Sequence, residues 1–168
     1  LSNKFLGENG ISLAPVEEWD LGDPALAQVI LPWNLLIAEG MLANGERLRA
    51  ADLVSRIMKG IILSLRTVGC FKESYHAQEN RPAGNRNSLA GLAPLGLFLE
   101  SLGLEKISKE EIIISGYNPY PHPVTVQYAG ITILCEAERV QVTWPSGEVQ
   151  QHKGPIPFQV RFPTAEGE

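Results

Sequence analysis

The chain has 168 residues, of which 44% are hydrophobic and 20% charged, so it can bury a core of ordinary size and is not expected to be disordered. Its net charge of −5 and its scattered lysines and arginines argue against nucleic acid or an anionic membrane as a partner, because both attract a basic patch. No apolar run approaches the ~20 residues that span a bilayer, so no membrane partner is expected.

Two cysteines and the start of the chain bear on the compartment. Cys70 and Cys135 lie far apart in the sequence, and we expect two reduced, buried thiols. Without a disulfide framework, the composition favours the cytoplasm. The chain begins at Leu1 with no signal-peptide pattern, from which we expect it to be cut from a longer protein.

A helical region is predicted from the start of the chain to about Gly103. Asp23-Pro24 resembles a helix start, and Pro32 predicts a break near Leu31, after which the helix resumes and runs to about residue 43. Between about Glu46 and Val68, apolar residues recur at helical spacing, which predicts an amphipathic helix with one dry side.

The third predicted helix, Leu89–Leu102, is apolar on nearly every side. Such a helix must be covered all round, as are the inner helices of a two-layer helical array. After about Lys109 the pattern changes to short runs of alternating apolar and polar residues, which predict a small antiparallel sheet with one buried face. The predicted strands are residues 112–114, 124–128, 131–134, 140–144 and 158–162.

Residues 71–86, which connect the second and third predicted helices, are rich in groups that bind sugars. They include two carboxylates, Glu73 and Glu79, together with amide and guanidinium groups and aromatic rings. Carboxylates supply acid–base chemistry, polar groups bind hydroxyls, and rings pack on the apolar face of a sugar. The alternative is an ordinary solvated loop. The three histidines have no partners at metal-ligand spacing, so neither a metal nor a cofactor is expected.

Two motifs resemble the six-hairpin glycosidases, a superfamily that includes trehalases, processing α-glucosidases and glycogen-debranching enzymes. The segment Val29–Met41, with Pro32-Trp33, is similar to an inner barrel helix of that family. Phe71-x-Glu73-x-Tyr75, followed by a glycine-containing loop, matches in order and spacing. The resemblance implies a mainly α fold with a C-terminal β appendage. Residues 1–108 would be the last helices of a partial (α/α)6 toroid, residues 109–163 a small antiparallel β subdomain, and residues 164–168 a frayed tail.

The same resemblance implies a role for several residues. Glu73 would be the general base of an inverting glycosidase, and Trp33, Tyr75, Glu79 and Arg81 would contact the substrate. The general acid of the family would lie upstream of this chain, which would therefore be inactive alone. Implied partners are an oligosaccharide or glycoside, the missing N-terminal part of the same protein, and another copy bound through exposed helices.

One departure from the family pattern leaves other functions open. Members often have an aromatic residue where the last inner helix begins, whereas this sequence has Ser88-Leu89. The chain could therefore be a carbohydrate-binding module without catalysis, or a structural segment of a larger protein.

Overall fold

A computed structural model describes residues 4–19, 23–107, 111–154 and 158–161. The chain forms two compact units, residues 1–97 and 98–168. The division between them follows Leu97, whereas the sequence predicts a boundary between residues 108 and 109. The predicted frayed tail, residues 164–168, lies outside the described residues.

A helical hairpin forms the centre of the first unit. Helix α1 spans Leu31–Ala43, with Pro32 in its first turn, where the missing N–H of proline is not needed. Helix α2 spans Arg47–Val68 and buries one stripe of small and branched side chains, including Val54 and Ile57. The amphipathic helix predicted over residues 46–68 is confirmed. The break predicted near Leu31 is the point where α1 begins.

Among its described residues, the first unit also has five short strands in two antiparallel sheets. Strands β1 and β2 form a two-stranded hairpin, and β3, β4 and β5 form a sheet in that order. Their bounds are β1 Leu6–Gly7, β2 Gly10–Ile11, β3 Gln28–Val29, β4 Lys72–His76 and β5 Pro82–Arg86.

The segment between the second and third predicted helices is therefore a β-hairpin, β4–β5, and the third helix differs from the prediction. Leu89–Gly91 is a single 3-10 turn, and a short helix α3 follows at Leu95–Ser101. Leu89 is 84% exposed, so residues 89–102 are not one helix covered on all sides. Pro94 explains the interruption, because proline disfavours helical geometry at the residue before it.

The described part of the second unit contains two antiparallel sheets. Three strands form one sheet in the order β12-β7-β6, and four form the other in the order β11-β10-β9-β8. The bounds are β6 Leu104–Ile107, β7 Glu111–Ile114, β8 Val124–Tyr128, β9 Ile131–Cys135, β10 Arg139–Thr143, β11 Val149–Lys153 and β12 Phe158–Arg161. Alternate residues such as Ile131, Ile133 and Val142 are buried in one core, as predicted for a sheet with one buried face.

The predicted fold class was wrong. Within the described ranges the chain has three α-helices and four antiparallel sheets, and it is not a mainly α protein with part of an (α/α)6 toroid. In such a toroid one helical hairpin follows another, whereas here the hairpin α1–α2 is followed by the β-hairpin β4–β5. The resemblance to six-hairpin glycosidases is overturned by this arrangement. Across the described ranges, no helix combines the length and apolarity that crossing a membrane requires.

Candidate functional site

Glu73 lies in the first half of β4, beside a small cavity in the first unit. The cavity has a volume of about 330 Å³ and is lined by residues from β3, the start of α1, the β4–β5 hairpin and the 3-10 turn. The lining residues are Gln28, Ile30, Glu73, Ser74, Gly84 and Ala90. The carboxylate is exposed at this concave surface and does not lie in the core.

The carboxylate of Glu73 is held by the opposite strand. The backbone N–H of Asn85 donates a hydrogen bond to Glu73 Oε2 over 3.1 Å. The neighbouring Gly84 has φ +77°, and a Cβ placed on it would lie 2.6 Å from the Cβ of Glu73. Glycine is therefore required there both by its backbone conformation and by the close approach of the two strands. One carboxylate oxygen is fixed by this contact.

Two uncharged polar side chains lie next to Glu73. Ser74 Oγ donates to Gln28 Oε1 over 3.0 Å, which ties β4 to β3. This bond uses the carbonyl oxygen of Gln28, so its amide NH2 group is available to donate to a ligand. The cavity therefore combines a negative acceptor, a hydroxyl and an amide donor, a set of groups that can hydrogen-bond a polar ligand.

Tyr75 is buried behind the hairpin and does not line the cavity. Its hydroxyl donates to the carbonyl oxygen of Gly91 over 2.9 Å and accepts the backbone N–H of Lys72. Burial raises the pKa of the Tyr75 phenol, which stays protonated as a donor. A register shift between Lys72 and Ser74 lets the consecutive residues Ser74 and Tyr75 both be buried. The contacts of Tyr75 fix the strand that carries Glu73.

Glu79 and Arg81 lie in the turn at the other end of the β4–β5 hairpin. Arg81 Nε and Glu79 Oε2 form an exposed ion pair at 2.5 Å. Trp33 lies in the first turn of α1 with 61% of its surface exposed, and it is not among the residues that line the cavity. The structure thus brings Glu73 together with Gln28 and Ser74, while the substrate contacts assigned to Trp33, Tyr75, Glu79 and Arg81 stay predictions.

Sequence reasoning missed Gln28, Ser74 and the Asn85 backbone. Gln28 lies 46 residues before Ser74, and no local pattern marks it as a neighbour. The only available signal was the glycine in the polar segment, because Gly84 next to Asn85 is typical of a chain that passes close to another strand.

No family model, no curated protein and no solved structure matches this chain.

Proposed function

We propose that the chain forms one side of a saccharide-binding cleft and that Glu73 is the general base of glycoside hydrolysis with inversion. The observation that carries the proposal is the position of this carboxylate. It is exposed at a concave surface beside Gln28 and Ser74, and one of its oxygens is oriented by the Asn85 backbone N–H. The remaining lone pairs can accept a proton from a water molecule placed in the cavity.

The proposed reaction needs a second carboxyl group. Glu73 takes a proton from water, whose oxygen attacks the anomeric carbon while an acid on the opposite face protonates the leaving oxygen. In inverting enzymes the two carboxyl groups lie roughly 6.5–9.5 Å apart. Among the described residues that line this cavity, Glu73 is the one carboxylate. The acid must then come from another segment, so the chain alone should not hydrolyse glycosides.

Helix α1 supports the proposal that another segment covers this unit. The helix has apolar residues on both sides and one charged residue, Glu39, yet it buries only the side that carries Leu31, Asn34 and Ala38. On its outer side, Trp33 and Leu36 are 61% and 59% exposed. A helix with large apolar residues on both sides is normally covered on both. The occupant that we propose is the remainder of the same protein, which would supply the acid and the opposite wall of the cleft.

A non-catalytic role is the second candidate, and the same outer face of α1 favours it. If the role of this unit is to bind another segment through that face, the chain is a structural or carbohydrate-binding segment. Glu73 would then only accept hydrogen bonds from sugar hydroxyl groups. For either role we propose a cytoplasmic location, with which the two buried free thiols of Cys70 and Cys135 are compatible.

The two candidates are separated by chemical rescue in the intact protein that contains this chain. Glu73→Gln keeps an oxygen that can accept the Asn85 N–H but removes the base, so kcat on a cleaved glycoside should fall by about 10²–10⁴. Glu73→Ala with added azide should regain turnover, because azide attacks the anomeric carbon without losing a proton. The product should be a glycosyl azide of inverted configuration.

A matched control lies in the same hairpin. Glu79→Gln removes a carboxylate that is paired with Arg81 in the turn. Loss of the substrate contact predicted for Glu79 would raise KM, but kcat should stay within about twofold of the wild type. If Glu73→Gln is as active as Glu79→Gln, Glu73 is not the base. If the intact protein binds oligosaccharides but cleaves none of a broad panel, the non-catalytic role is the correct one.

A further inference from the structure

We infer that the second unit holds a binding site for a neutral saccharide, separate from Glu73, at the turn between β9 and β10. A cavity of about 820 Å³ lies there, within the range of roughly 300–1,000 Å³ that is usual for ligand pockets. It is lined by the ring of Tyr117, by the cations Arg139 and Lys153, and by the carboxylates Glu136 and Glu138. This inference does not depend on the role of Glu73.

The cavity is preformed, because a buried asparagine fixes the loop that carries Tyr117. Asn118 Nδ2 donates to the carbonyl oxygens of His122 and Cys135, at 2.6 and 3.1 Å. Its Oδ1 accepts the N–H of Tyr120, and its own N–H donates to the carbonyl oxygen of Glu136. These bonds attach the loop between β7 and β8, residues 115–123, to the β9–β10 turn. A ligand would bind here at little cost in ordering the protein.

The ring of Tyr117 is partly exposed, as a stacking surface must be. It is 44% accessible at the cavity, while the neighbouring Tyr120 of the same loop is packed on Phe98 and bonded to Ser101. Sugars present an apolar face of C–H groups, and an exposed aromatic ring in a preformed cavity matches that face. Tyr117 is therefore the residue on which we expect a sugar ring to stack.

The charges of the cavity favour a neutral ligand over an anion. Arg139 and Lys153 are direct cross-strand partners on β10 and β11, but Arg139 binds both carboxylate oxygens of Glu136. Among the described residues, the ammonium of Lys153 and the carboxylate of Glu138 have no ion-pair partner. Two positive and two negative groups leave no net charge to attract an anion. Together they offer donors and acceptors, and each hydroxyl of a sugar needs both.

The sheet extends the site with uncharged side chains. The next cross-strand pair on the same face is Gln141 and Gln151, whose amides are joined by a hydrogen bond of 2.9 Å from Gln151 Nε2 to Gln141 Oε1. The NH2 group of Gln141 and the amide oxygen of Gln151 stay available for hydroxyl groups. An oligosaccharide anchored on Tyr117 can continue along this pair, so we expect affinity to increase with chain length.

The experiment is an NMR titration of the ¹⁵N-labelled chain with neutral oligosaccharides of one to six units from the maltose, cellulose and xylan series. At least one series should shift the amides of residues 117, 136–139 and 153–154. Tyr117→Ala should weaken binding by about tenfold, and Tyr117→Phe should bind as the wild type does because stacking needs no hydroxyl. The control is Tyr128→Ala, which removes a tyrosine of similar exposure (47%) on β8 that does not line the cavity.

Three results would overturn the inference. The first is the absence of saccharide-dependent shifts at these amides in all three series. The second is equal affinity of Tyr117→Ala and Tyr128→Ala. The third is binding of inorganic phosphate or sulfate at the cavity without binding of saccharides, which would make it an anion site. The Asn85 amide, next to Glu73 in the other unit, reports binding at the first cavity separately, so failure of one proposal is distinguishable from failure of the other.

Discussion

Asn34 should be the polar side chain on which the first unit depends most. Between β1 and β2, the Ser12 N–H donates to the Phe5 carbonyl oxygen. Along an antiparallel pair, residues that bond to the opposite strand alternate with residues whose backbone groups point away from it. Ile11 directly precedes Ser12, so its backbone groups point away from β1. Asn34, which is 2% exposed, takes the place of a third strand there. Its Oδ1 accepts the Ile11 N–H at 2.8 Å, and its Nδ2 donates to the Ile11 carbonyl oxygen at 2.9 Å.

Replacing Asn34 with alanine leaves two buried backbone groups of Ile11 without a partner. A third bond, from Asn34 Nδ2 to Ile30, is also lost, but the Ile30 oxygen keeps the bond from the Asn34 backbone N–H. Each unsatisfied buried group costs about 1–3 kcal/mol, so Asn34→Ala should lower the free energy of unfolding of the first unit by about 3 kcal/mol.

Urea denaturation followed by far-UV circular dichroism measures this loss, because α1 and α2 lie in the same unit as Asn34. A drop of about 3 kcal/mol corresponds to a midpoint lower by on the order of 1–3 M urea. The control is Asn44→Ala, at the end of α1, where the side chain is exposed and donates only to the Gly40 carbonyl oxygen. We expect it to cost about 1 kcal/mol or less. Equal midpoints for the two variants would refute the account of Asn34 as a substitute strand.

Three other predictions concern the first unit. Gly84→Ala should displace the Glu73 carboxylate and break its hydrogen bond from the Asn85 N–H, which should move the Asn85 amide signal upfield in an NMR spectrum. The control Gly147→Ala has a similar φ, +86°, but free space around its Cβ, and should leave the Asn85 signal unchanged. Burial lowers the pKa of His76, and two backbone N–H groups donate to its Nδ1, which must be unprotonated to accept them. The contribution of neutral His76 to the free energy of unfolding should be complete above pH ~6.5, the pKa of an unperturbed histidine, and should be lost as the pH falls through the lowered pKa of the folded state. His76→Asn should remove this slope from thermal melts, and an unchanged slope would exclude His76 as its source. Copies of the chain should associate through the exposed Trp33 and Leu36 on α1. The double variant Trp33→Ser, Leu36→Gln should then abolish the concentration dependence of sedimentation without changing the melting temperature. Association that persists in this variant would mean that the copies contact each other elsewhere.

Sequence periodicity predicted the elements that bury one regular face. Helix α2 and strands β8 to β10 were expected near their observed bounds, because the alternation of apolar residues in each matches the geometry of its own backbone. The long apolar helix over residues 89–102 was wrong for the opposite reason. The apolar residues of this segment, such as Leu89 and Leu92, do not recur at a clear helical or strand spacing. They indicate that the segment is hydrophobic but do not predict which structure it adopts.

The β4–β5 hairpin could not be predicted from its own residues. Pro82, Gly84 and Asn85 are poor strand formers, and their pairing with β4 depends on distant contacts such as the bond from Tyr75 to Gly91. The same contacts create the candidate site. Glu73 was singled out by its residue type and by a resemblance that the fold contradicts, whereas Gln28 reaches it only through the folded chain.

The two ends of the β4–β5 hairpin have different chemical properties, and this difference carries the argument about function. In the turn, Glu79 is neutralised by Arg81, as is usual for exposed charges. At the other end, Glu73 receives a backbone N–H and, among the described residues, no cation, although the Lys72 ammonium is close enough to bond the Gly84 carbonyl oxygen. A carboxylate without a cationic partner is left to accept hydrogen bonds from a ligand. The variants Glu73→Gln and Glu79→Gln therefore form an informative pair, because they change the same group in the same hairpin and only Glu73→Gln should lower kcat.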